Sequence, residues 1–206
     1  MGAVSDVKVT FISDEVAADP NGFSASAQVA NNAALVLGGA LASGGAVTLG
    51  SARTVSITSG GDDSGISFTV VGTDLDGVSL TESITGADTG AATGSKYFKT
   101  IISITAVGDP AGTVIAGTTG SAADIIFGGR TRLKGYSIVS GGTAGVIEFL
   151  NGEPNGGGTA LFKARTLGTD NTTVDNTIPE NGVVFESGAY VVYTIGTTDM
   201  MSFFFA

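Results

Sequence analysis

Bulky apolar residues alternate with small polar ones along most of this chain, in short runs separated by clusters of Gly, Asp, Asn and Ser. The clearest instance is RTVSITSGGDDSGISFTVVGTD, Arg53 to Asp74. Val55 and Ile57 alternate with polar neighbours. Ser59 to Gly65 holds no large apolar residue, and alternation resumes in Ile66, Phe68 and Val70. Period two on both sides of a Gly/Asp/Ser stretch predicts two antiparallel strands joined by a loop, each with one buried face. Asp74-Leu75-Asp76-Gly77 predicts the next turn, and Val78 to Thr85 a third strand. No stretch of eleven or more residues sustains a helical period.

The same grammar places further strands near 27–37, 46–49, 98–106 and, more weakly, 113–117. GTTGSAAD, residues 117–124, is small and polar and reads as a linker. Beyond it the pattern predicts strands at Thr131–Ser140, Gly145–Leu150, Ala160–Thr166, Val183–Glu186, Ala189–Ile195 and Met200–Phe205. Gly141-Gly142 and Glu153 to Gly158 read as hairpin loops, and Glu186-Ser187-Gly188 as a tight turn. Residues 1–22 stand apart. Val7, Val9 and Phe11 alternate as in an edge strand or extended arm, followed by an acidic turn with one helical turn capped by Ser13. The expected fold is all-β: two antiparallel β-sandwich or barrel domains, 23–120 and 121–206, behind an N-terminal arm at 1–22.

Composition narrows the chemistry more than the fold. The 206 residues are 42% hydrophobic, enough for a core, with 33 glycines and four prolines. There is no cysteine, so disulfides and thiolate metal sites are excluded. There is no histidine, which removes Ser-His-Asp and Cys-His catalysis and the commonest transition-metal ligand. A net charge of −10 repels phosphate backbones, so no nucleic-acid partner is expected. The mildly apolar run Ala33 to Gly50 is broken by Gly38-Gly39 and Gly44-Gly45, so no membrane span is expected and no signal peptide is evident.

Arg53 to Gly90, continuing to KYFKTIISITAVG, resembles a β-sandwich module that recurs in structural proteins of tailed bacteriophages. TRLKGYSIVSGGTAGVIEFLNG, with GVVFESGAYVVYTIG, resembles a second small β module of phage virion proteins. The resemblance implies a virion component made in the host cytoplasm. Head decoration (cement) proteins on the capsid surface, bound to the major capsid protein or other virion proteins, fit it best. Tail, neck or fibre parts carry such modules too. A carbohydrate- or host-surface-binding module is the reading from another class, since sandwiches present ligand loops at their ends.

The candidate sites follow from chemistry. Asp62 and Asp63, with backbone carbonyls, could bind calcium; Asp74 and Asp76 lie at the far end of a strand and cannot share that ion. Asp-rich turns form without metal, and no metal or cofactor is expected. Glu148 with Glu153, or Glu82 with a distant Asp, could be posed as a glycosidase pair, but any acidic chain offers such pairs, and no enzymatic activity is expected. Gly156-Gly157-Gly158 is followed by no Lys-Ser/Thr and no helix, which excludes a phosphate loop. Arg130, Arg132 and Lys134 recur at period two, as do Lys163 and Arg165. They form either solvated strand faces or a charged docking face for an acidic neighbour. The aromatic strands Tyr190 to Tyr193 and Phe203-Phe204-Phe205 carry bulk on both faces. Either those strands lie between two packed layers or one face meets another subunit; on the second reading, with Val7, Val9 and Phe11, they are the candidate subunit interface of a homo-oligomer, a trimer if it sits on the threefold positions of a shell.

Overall fold

A computed structural model of the chain describes residues 6–13, 17–194 and 198–206. The helical turn expected after Ser13 lies outside the described residues. The strands are β1 (Lys8–Ser13), β2 (Ser24–Gln28), β3 (Ala42–Ser43), β4 (Ala46–Asp62), β5 (Ser67–Thr73), β6 (Ser79–Thr85), β7 (Asp88–Thr93) and β8 (Phe98–Val107). There follow β9 (Thr113–Phe127), β10 (Thr131–Ser140), β11 (Gly145–Asn151), β12 (Thr159–Thr166), β13 (Thr173–Thr177), β14 (Val183–Phe185), β15 (Ala189–Thr194) and β16 (Thr198–Phe205). Among the described residues the only helical element is one 3-10 turn, Pro154–Gly156. The protein is all-β, and its strands pair antiparallel.

The chain divides into two compact units, residues 18–122 and residues 1–17 with 123–206. The first is continuous in sequence. The second takes β1 from one end of the chain and the rest from the other.

In the unit formed by residues 18–122 the strand order is β9-β4-β8-β5-β6. The expected hairpin of 53–58 with 66–70 is not formed, because β8 lies between β4 and β5. The next hairpin is formed as expected: β5 and β6 pair from Ser67↔Thr85 to Thr73↔Ser79 around the Asp74–Gly77 turn. Val55, Ile57, Phe68, Val70, Phe98, Ile101 and Ile104 all point into one core. The alternation was therefore read correctly while the partner was not, since a period of two fixes the face and not the neighbour.

Two other expectations fail for one reason. Gly60-Gly61 was taken as a loop, yet β4 runs through it to Asp62. A Cβ on Gly60 would stand 2.8 Å from the Thr113 hydroxyl, and one on Gly61 2.9 Å from the Ala111 backbone. These glycines permit close approach of a neighbouring segment rather than a turn. Residues 117–124 are likewise no linker but the middle of β9. Ala116, Ala122 and Ala123 are fully buried there, so small side chains serve packing. Of residues 27–37, expected as one strand, only 27 and 28 are strand, at the end of β2, and the rest are mostly irregular, with Ala34 bridging Thr105. Val29, Leu35 and Leu37 still enter the core.

The other unit is a sandwich. One sheet has the order β1-β16-β10-β13, with β14 also on β10. The opposing layer runs β12-β11-β15 and onto the end of β9. Between the layers, Tyr136, Phe149, Phe162 and Phe203 stack, with Phe149 4.3 Å from Phe162 and edge-on to Phe203 at 5.7 Å. Only one of the two expected hairpin loops joins paired strands: Glu153 to Gly158 connects β11 to β12. Gly141-Gly142 carries the chain from one sheet to the other. β13 falls in the polar run TVDNT and was not legible, having no apolar alternation.

Candidate functional site

The opening segment pairs along β16, from Lys8↔Phe205 to Ser13↔Met200, which makes β1 an edge strand. β16 pairs in turn with β10. Side chains on consecutive residues point to opposite faces, so these registers assign every position. Ile12, Phe203, Phe205, Leu133 and Ile138 point inward and are buried. Outward from β1 point Val7, Val9 and Phe11, at 46, 57 and 56% exposure. Outward from β16 point Met200, Ser202 and Phe204, the last at 39%. Across from them on β10 stand Val139, Ser137 and Gly135. The exposed apolar positions lie on β1 and β16; toward β10 the face is bordered by Lys134, and beyond it by Asp175 of β13, the partner of Ser137.

Rows of side chains cross this face. Val9, Phe204 and Gly135 form one; Phe11, Ser202 and Ser137 form the next. Gly135 follows a register shift after Leu133 that sets Lys134 off the ladder. Gly135 is buried, and a Cβ there would stand 2.7 Å from the Asn176 carbonyl oxygen, so glycine admits the close approach of β13. A hollow of about 510 Å³ beside it is lined by Lys134, Ser137, Asp175 and Phe204 among others.

The eight residues expected at a subunit interface therefore separate. Val7, Val9, Phe11 and Phe204 are at the surface. Phe203 and Phe205 lie inward, as their spacing from Phe204 requires, and Phe205 stacks on Phe127 at 5.3 Å. Tyr190 and Tyr193 are interior at 3 and 1% exposure, which places them in the chain's own core and not at the subunit interface for which they were candidates. The Tyr193 hydroxyl donates to Asp124 Oδ2 at 2.5 Å, a buried pair that no sequence pattern announces. Bulk on both faces of that strand serves packing of the chain on itself.

The charged docking face is dispersed. Arg130 precedes β10 and forks onto Glu186, Nε to Oε2 at 2.6 Å and Nη2 to Oε1 at 3.3 Å. That hydrogen bond, with the charge of Glu186, raises the guanidinium's pKa above its usual value. The shift at Leu133/Gly135 breaks the period that Arg132 and Lys134 were expected to share with it. Lys163 and Arg165 do share the exposed face of β12, where Lys163 pairs with Glu148 of β11.

The carboxylates singled out for chemistry hold turns. Asp62 Oδ1 accepts from the Ser64 amide and hydroxyl at 3.1 and 2.7 Å, and these bonds, hydroxyl first, lower its pKa. Asp63 is fully buried, with Oδ1 accepting from the Ala111 amide at 2.7 Å and Oδ2 without a partner. Asp74 Oδ1 accepts from Asp76 and Val78 amides, closing the β5–β6 turn. Glu82 Oε1 accepts from the Ser95 amide and hydroxyl. Glu153 caps the 3-10 turn through the Gly156 amide. No group of three or more carboxylates that could hold a metal ion occurs among the described residues. No helix among them is long and apolar enough to cross a membrane. No protein-family model matches the chain, and no curated protein matches it.

Proposed function

We propose that this protein is a structural component of a tailed-bacteriophage virion, a decoration protein that attaches to the head shell and assembles through its own open sheet face. The observation that carries the reading is the row of exposed apolar side chains Val7, Val9, Phe11, Met200 and Phe204 along β1 and β16 on an otherwise acidic protein. Contiguous exposed apolar surface on a folded chain marks a docking site. The resemblance of Arg53–Gly90 and of the later modules to virion proteins supplies the phage context. The singled-out carboxylates are committed to turns and caps, which supports a scaffold role over a reactive one.

Among the described residues β1 is at the edge of its sheet as well as apolar on one side, so a strand of a capsid protein can add there. On a shell, a trimer at threefold positions is the expected arrangement. The test is the copy number of this protein in purified virions. A number matched to the lattice positions of the head supports decoration; a small number matched to tail symmetry assigns it to tail, neck or fibre. Absence from particles overturns both.

A further inference from the structure

We propose that Asn181 is a site of covalent modification, the asparagine that turns into aspartate and isoaspartate while the fold is intact. Four asparagines of the chain precede glycine: Asn21, Asn151, Asn155 and Asn181. Glycine carries no Cβ to hinder its own amide nitrogen, so these pairs are the ones most open to the reaction. The glycine nitrogen attacks the side-chain carbonyl carbon of the asparagine. The bond from that carbon to the side-chain nitrogen breaks, and ammonia leaves with the glycine's proton. Water then opens the cyclic imide to aspartate or isoaspartate. The reaction takes no catalyst and no partner, so it is independent of the virion reading. It does require a glycine amide released from its hydrogen bond and an asparagine side chain free to swing against it.

Three of the pairs are held by more than one hydrogen bond. The Gly22 amide donates to Asp19 O at 3.2 Å, the Asn21 amide donates to Asp19 Oδ1 at 3.3 Å, and buried Gly22 accepts from the Leu41 amide at 2.8 Å. The Gly152 amide donates to Gly188 O at 3.0 Å, and Asn151 Oδ1 accepts from the Ser187 amide at 2.8 Å. The Gly156 amide donates to Glu153 Oε2 at 2.6 Å, and Asn155 Nδ2 donates to Glu153 Oε1 at 3.0 Å. Asn181 differs. It is exposed, and among the described residues its side chain meets no hydrogen-bond partner. The Gly182 amide donates to Pro179 O at 3.2 Å, across a turn in which Glu180 has φ +55°, a conformation that glutamate seldom adopts. A single strained turn at the surface opens by local fluctuation, without unfolding the sandwich.

Its place in the fold gives the reaction a consequence. β13 and β14 run along one edge of β10, and residues 178–182 loop out between them, where the Ile178 amide donates to Lys134 O. Gly182 brings the chain back: a Cβ on it would stand 2.2 Å from the Leu133 carbonyl oxygen, and Val183 then pairs with Leu133. Isoaspartate routes the backbone through the side chain and lengthens it. The close approach of Gly182 and the register of Val183, Val184 and Phe185 then cannot both be kept. Phe185 is fully buried, so the modified chain is destabilised there.

The experiment ages the full chain in mildly alkaline buffer at body temperature, with and without urea, and follows the four asparagines by peptide mapping and mass spectrometry. In buffer Asn181 is expected to convert first, about tenfold ahead of the other three, each of which must break a further hydrogen bond. In urea the four are expected to convert at similar rates, because the fold and not the dipeptide sets the order. Another pair converting first in buffer, all four converting equally there, or the same order in urea overturns the proposal. So does an intact Asn181 in the folded chain once the urea sample has reacted. Thermal unfolding then reads the consequence. The aged chain is expected to melt below the fresh one, while Asn181→Asp, which adds the same charge on an ordinary backbone, is expected to melt with wild type. An aged chain as stable as the fresh one, or a variant that falls as far as the aged chain, overturns the role given to the lengthened backbone.

Discussion

At the scale of single residues, Phe203, Phe204 and Phe205 show how one strand divides its labour. Phe204→Ala removes a half-exposed ring and is expected to cost under about 1 kcal/mol of stability, whereas Phe203→Ala empties a fully buried site and should cost about 3–5 kcal/mol. Urea unfolding of the two variants measures the contrast; equal losses would mean Phe204 is core. Tyr193→Phe takes a hydrogen-bond donor from buried Asp124 and is expected to cost about 1–3 kcal/mol by the same measurement. Asp62 tests the turn. Its pKa is lowered in the folded protein, so the carboxylate's contribution is present above the ordinary carboxylate range and is lost as pH falls through the lowered native value. The Ser64 amide resonance should titrate below that of a free Asp peptide; an ordinary midpoint would mean the bond to Asp62 is not held. Of the candidate site, the alternation of Val7, Val9 and Phe11 and the opposition of Phe204 to its neighbours were legible, because strand parity is written in sequence. The burial of Tyr190 and Tyr193 was not, because parity does not say whether the second face meets solvent or protein.

At the scale of elements, the strand positions were largely legible and the pairing was not. Thr131–Ser140 and the β5–β6 hairpin follow from alternation and an Asp-Gly turn. The placement of β8 between β4 and β5 depends on tertiary packing that no local pattern carries. Glycine was the main source of error, since it marks turns and close approaches alike. Gly72 is a case of the second kind: it sits at the irregularity between β5 and β8, where a Cβ would lie 1.9 Å from the Thr100 carbonyl oxygen. Gly72→Ala must push the two strands apart and is expected to destabilise the protein by more than about 1 kcal/mol, although alanine ordinarily favours regular structure over glycine. Gly65→Ala, with open space around it, serves as the control. Thermal unfolding midpoints that move equally for the two would remove the close-approach account.

At the scale of the whole molecule, the question is which of two surfaces brings copies together. The sequence offered a basic docking face and an apolar one, and salt separates them. Contacts between opposite charges weaken as the Debye length falls from about 30 Å at 0.01 M to about 3 Å at 1 M ionic strength. Apolar contact does not weaken under that change, while the mutual repulsion of two chains of net charge −10 is screened. Two of the five basic residues are already satisfied within the chain, Arg130 by Glu186 and Lys163 by Glu148. Exposed pairs of this kind contribute little, and breaking them to engage a neighbour gains little more. The exposed apolar side chains of β1 and β16 have no such competition. Self-association measured by light scattering is therefore expected to strengthen as sodium chloride rises from low to molar concentration. Lys163→Ala should leave it unchanged, and Val9→Asp should abolish it. Weakening in salt, together with sensitivity to Lys163 and indifference to Val9, would transfer the contact to the basic strand β12.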